Sequence, residues 1–119
     1  MQRSHRNLKA WQEAVILVEV VYRVTRTFPK EEIFGLVSQM RRAATSVPAN
    51  IAEGAARNGT KELLRFLGIA SGSLSELDTR VEIATRLDLM QGSASVRQQI
   101  DKVSTLVLAL AKSLKAKAG

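Results

Sequence analysis

Apolar residues recur at steps of three and four along the C-terminal half of the chain, and that spacing admits amphipathic helices rather than strands. Val96, Ile100, Val103, Val107, Leu110 and Leu114 alternate steps of four and three without a break. Leu63, Phe66, Leu67, Ala70, Leu74, Leu77, Val81, Ala84 and Leu87 form a second stripe of the same kind. A helix with one such stripe must bury it against another helix. Turn signals at Phe28-Pro29, Asn58-Gly59 and Gln91-Gly92-Ser93 divide the sequence into four helical segments, about 7–27, 34–57, 60–90 and 93–115. The expected fold is all-α, an antiparallel up-down-up-down four-helix bundle in one domain, residues 1–119. Thr60 is the expected cap of the third helix.

The first segment carries two apolar rows. Leu8, Trp11, Val15, Val18 and Tyr22 make one; Ala14, Leu17, Val21, Val24 and Phe28 make the other. A bundle core accounts for one row, so the second predicts a contact between subunits. Trp11, Tyr22, Phe28 and Phe66 fall on these stripes and read as core or interface residues.

The second segment contains QMRRAATSVPANIAEG, residues 39–54. Pro48 lacks an N–H and crowds the carbonyl of Ala44, so a kink is expected near Ala44 to Val47. Its neighbours are small, and Gly68 and Gly72 on the third segment look like their packing partners, because glycine inside a helix otherwise costs stability. Glu53 and Arg57, like Glu76 and Arg80, are spaced for pairing within a helix. Glu53, Asn50 and Glu76 are expected to form a polar clasp with Arg41 or Arg42.

The residue inventory bears on chemistry. Cysteine is absent and the one histidine, His5, precedes the bundle, so thiolate sites, His-based nucleophile activation and the Glu-x-x-His di-metal pattern have no residues to work with. No Gly-rich phosphate loop is present. The expectation is a protein without enzymatic activity and without a cofactor or bound metal. The apolar run after the basic N-terminus is interrupted by Glu19 and Arg23 and does not suit a membrane span. A cytoplasmic protein with no membrane partner is expected.

Formal net charge is +7, and the ends of the chain carry the excess. Residues 1–30 hold six basic and two acidic residues; residues 91–119 hold five and one. Arg3, Arg6, Lys9, Arg23 and Arg26, with Arg97, Lys102, Lys112, Lys115 and Lys117, are the candidate contacts to nucleic-acid phosphate.

The strings FPKEEIFGLVSQMRRAATSVPANIAEGAARN and RFLGIASGSLSELDT resemble the 23S rRNA-intervening-sequence protein family, also called the four-helix bundle protein family. That resemblance implies a bacterial four-helix bundle assembling as a ring-like homopentamer. It also implies similarity in fold to the accessory protein of diversity-generating retroelements, which is basic, pentameric and binds nucleic acid. The family pattern brings no catalytic residues. It covers Gln39, Arg41, Arg42, Ala43, Ala44, Ser46, Pro48, Asn50, Ile51, Glu53 and Gly54, read here as assembly and packing determinants. The resulting expectation is a homopentameric scaffold contacting RNA or DNA; the alternative is an adaptor that binds a protein partner and no nucleic acid.

Overall fold

The computed structural model describes residues 3–118, and residues 1, 2 and 119 lie outside it. Four helices form: α1 (Lys9–Thr25), α2 (Ser38–Ala56), α3 (Thr60–Arg86) and α4 (Ala94–Ala118). A 3-10 turn at Ser4–Asn7 leads into α1. A second, Lys30–Glu32, runs into a wide helical turn at Ile33–Val37 before α2. Packing links α1 to α2, α2 to α3, α3 to α4 and α4 back to α1, the closed cycle of a four-helix bundle. Side chains that meet between α2 and α3 run in opposite order along the two helices. Gln39 meets Arg80, Ser46 meets Ser73 and Gly54 meets Phe66.

The core is aliphatic, as a chain with 4% aromatic residues requires. Ala14, Leu17, Val21, Met40, Ala44, Val47 and Ile51 from the first two helices are fully buried, as are Leu77, Val81, Val96 and Val103 from the last two. On α3 the buried stripe runs from Phe66 to Ala84, whereas Leu87 at its expected end is 61% exposed. The reason is that α3 stops at Arg86. Asp88 adopts φ 59, the Leu89 N–H reaches the Ala84 carbonyl at 2.9 Å and the Asp88 N–H reaches Thr85 at 3.1 Å. This is a Schellman closure with Asp where glycine is usual. The turn swings Leu87 outward and returns Met90 to the core.

Other boundaries also shift. The residue preceding α3 is Gly59 with φ 95, and no side chain caps the helix; Thr60 is its first helical residue, not its cap. Helix α2 runs from Ser38 through Pro48 to Ala56, and the segment's non-helical dihedrals (φ −106, ψ −108) lie at Gly35. The expected packing role of Gly68 and Gly72 does not hold within the chain. Both are exposed, and a methyl group added at either would meet nothing within 4 Å. The close approach between α2 and α3 is made by Gly54 and by the serine pair Ser46–Ser73.

Candidate functional site

Polar seams tie the helices together between α2 and α3, between α1 and α4 and between α3 and α4, and Arg41 adds a contact from α2 to α1. Between α2 and α3, the Ser46 and Ser73 hydroxyls pair at 2.8 Å. The Asn50 side-chain amide donates to both the Ser46 carbonyl (2.8 Å) and the Ser46 hydroxyl (2.9 Å). About two turns earlier on α2, Arg80 donates to Gln39 at 2.7 Å and, within α3, to Glu76 at 2.9 Å. Gln39, Arg42, Ser46, Ser73, Glu76 and Arg80 border a cleft of about 300 Å³. The structure thus gathers Arg42 and Glu76 of the expected clasp in one cleft with Gln39, Ser46 and Arg80, and places Asn50 beside it, bonded to Ser46. It does not gather the remaining two. Glu53 is exposed and bonds only within its own helix, to Arg57 at 2.7 Å. Arg41 turns to α1, where its guanidinium lies 4.4 Å from the centre of the Tyr22 ring and its Nε donates to the buried Thr25 hydroxyl at 3.0 Å.

The second seam joins α1 to α4 through Glu13, buried at 6% exposure. Gln99 donates to the Glu13 carbonyl (2.9 Å) and carboxylate (3.0 Å), and Lys102 lies 3.2 Å and Lys9 3.6 Å from that carboxylate. The Gln99 hydrogen bond, with help from Lys102 and Lys9, holds the Glu13 carboxyl below its ordinary pKa in spite of its burial. The third seam joins α3 to α4: Arg97 reaches Glu82 at 2.8 Å and Asp78 at 3.7 Å. Hydrogen bonds from Arg86 and then Arg97 lower the Glu82 pKa.

These seams sort the ten candidate phosphate contacts. Lys9 and Lys102 share the Glu13 carboxylate and Arg97 faces Glu82 and Asp78, so their charge is partly compensated within the chain. Arg3, Arg6, Arg23, Arg26, Lys112, Lys115 and Lys117 are exposed, and none has a described carboxylate within 4.0 Å. Arg6 lies 5.3 Å from the Trp11 ring centre, beside the edge-on pair of His5 and Trp11.

A concavity larger than this cleft lies elsewhere. A groove of about 640 Å³ lies where the C-terminal end of α1 meets the wide turn and the start of α2. Arg26, Lys30, Arg41 and Arg42 line it, and Phe34 stands beside them at 95% exposure. Sequence reasoning missed this place. Phe34 looked like the first residue of a regular helix; its one signal was an Ile33-Phe34 pair directly before Gly35, the residue whose dihedrals break the helix. Glu13 was missed too, although it stands directly before the apolar run that begins at Ala14.

Among the described residues no group of three or more His, Cys, Asp and Glu side chains is placed to hold a metal ion. Among the same residues no helix is long and apolar enough to cross a membrane. Fold and surface define a basic, all-α four-helix bundle protein with polar seams between its helices. Its sequence matches the model of the 23S rRNA-intervening sequence protein family over residues 6–110, and the chain belongs to that family. No curated protein matches the sequence.

Proposed function

We propose that the protein is a non-enzymatic, homopentameric helical scaffold of the cytoplasm that contacts RNA or DNA through its basic surfaces. The supporting observation is the set of exposed cations without a carboxylate partner, Arg3, Arg6, Arg23, Arg26, Lys112, Lys115 and Lys117. Cations that no carboxylate neutralises are free to replace the counterions of a phosphate backbone. Assembly is supported by α1. One of its two apolar rows, Ala14, Leu17, Val21 and Phe28, is buried in the bundle, while Trp11, Val15 and Val18 remain half-buried and Tyr22 and Ile16 are exposed. A second copy would cover that outer row. The pentamer itself follows from the family resemblance. Five copies of a +7 chain sum weak contacts through avidity.

Binding of generic RNA and duplex DNA, titrated against salt, is the test. Affinity should fall steeply and log-linearly with salt. Absence of binding to either polymer at low salt refutes the proposal. Light scattering coupled to size exclusion should give five times 13.0 kDa, and a monomer refutes the assembly.

A further inference from the structure

We infer that the groove beside Phe34 is a single-strand site, taking the phosphates of an unpaired RNA or DNA segment on its cations and one base on the Phe34 ring. This rests on the nucleic-acid reading above and gives that reading a place and a preferred form of ligand.

Three observations lead there. The first is the sign of the groove. Arg26, Lys30, Arg41 and Arg42 line it and no acidic side chain does, although Glu31 and Glu32 follow Lys30 directly in sequence. Arg26, Lys30 and Arg42 have no described carboxylate within 4.0 Å. A lining of one sign in a concave wall focuses potential on an anion. The ligand must therefore be anionic, and a second copy of this basic chain does not meet that demand.

The second is the state of the aromatic rings. Phe28 is buried at 8% exposure, and Arg41 already covers Tyr22 at 4.4 Å. Phe34 alone presents open ring surface, at 95% exposure, with Ile33 at 47% beside it. A fully exposed phenyl group is hydrated at a cost, and nothing inside the chain packs on it. The third is the backbone. Gly35 departs from helical dihedrals next to Phe34, and the wide turn places this ring ahead of α2 instead of on its buried stripe. An aromatic face beside cations that track a phosphate backbone is the arrangement by which proteins hold unpaired bases, because every base has a face to stack. A duplex keeps its bases stacked inside and meets only the cations.

Fluorescence anisotropy on the full-length protein tests this with two labelled probes, an oligouridylate of about 16 nucleotides and an RNA duplex of equal length. Wild type should bind the single strand more tightly. Phe34→Ala should weaken single-strand binding roughly ten-fold and leave duplex binding unchanged, since stacking of one base is worth about that factor. Phe34→Tyr should restore it. Lys30→Glu with Arg42→Glu should weaken both probes. If wild type binds both probes alike and Phe34→Ala changes neither, the single-strand site is refuted while the general nucleic-acid reading stands. Binding of neither probe at low salt overturns both. A Phe34→Ala protein that keeps single-strand affinity but loses mass in light scattering overturns the inference by making Phe34 a contact between copies.

Discussion

Gly54 on α2 and Phe66 on α3 approach so closely that a Cβ atom built on Gly54 would lie 2.7 Å from the Cβ of Phe66. Leu63 closes the other side, with its Cδ1 at 3.0 Å and its Cα at 3.4 Å. A contact of that length to the root of a side chain cannot be relieved by a rotamer change. The helices must part. Gly54→Ala should therefore destabilise the fold by about 1–3 kcal/mol although alanine is the better helix former. Chemical denaturation reads the loss as a lower midpoint at unchanged slope. Stabilisation by Ala would mean that α2 and α3 are not held this close in solution.

Glu13 gives the bundle a pH dependence of definite sign. Its folded pKa is depressed by Gln99, Lys102 and Lys9, so the unfolded chain takes up a proton first as the solution is acidified. The contribution is complete above the ordinary glutamate value of about 4.3. It is lost as pH falls from there through the lower folded value. Glu13→Gln should be less stable than wild type near neutral pH, and the gap should narrow across that acidic window. Parallel stability curves for the two proteins, with a constant gap, would show that the charge of Glu13 is not what the seam uses.

Asp88 holds a left-handed conformation (φ 59) that L-residues adopt at a cost and glycine adopts freely. The two closing hydrogen bonds of the turn are made by main-chain groups of Asp88 and Leu89, so a substitution keeps them. Asp88→Gly is expected to stabilise by about 0.5–1 kcal/mol, the cost of the left-handed residue less the entropy that glycine adds to the unfolded chain. Calorimetry should show a rise of a few degrees in Tm. A fall would assign Asp88 a side-chain role that the geometry does not show.

The helices were legible because periodicity is a property of the chain itself. The stripe from Phe66 to Ala84 and the alternation from Val96 to Val107 each needed only one face of a helix to be buried. The polar pairs were half legible. Glu53–Arg57 and Glu76–Arg80 lie within one helix, so spacing alone pairs them. Gln99–Glu13, Ser46–Ser73 and Arg97–Glu82 join different helices, and their registers depend on packing that no local pattern encodes. The end of α3 was misplaced because Asp88 does the work of a glycine. The groove at Phe34 was hidden for a related reason. One non-helical residue, Gly35, decides whether the preceding aromatic side chain joins the core or faces solvent.

Among the described glycines, Gly68 and Gly72 have no task inside the chain, and they give a test of assembly that is independent of charge. They lie exposed on α3, and Gly68 edges a shallow hollow where Leu64 and Ser71 face Leu108 and Ala111 of α4. Leu108 is itself 62% exposed. In a lone subunit, replacing both glycines by alanine can only help. Each change removes backbone freedom from the unfolded chain and meets no neighbour, which should stabilise by about 1 kcal/mol per site. If another copy packs its backbone against this face, the two methyl groups hold it off. The double variant should then lose mass in light scattering and should gain nothing, or lose stability, in denaturation at high protein concentration. The two measurements together decide the matter. Higher stability with unchanged mass assigns the glycines to open surface and confines assembly to the outer row of α1, Trp11, Val15 and Val18. Loss of mass places α3 in the contact between subunits.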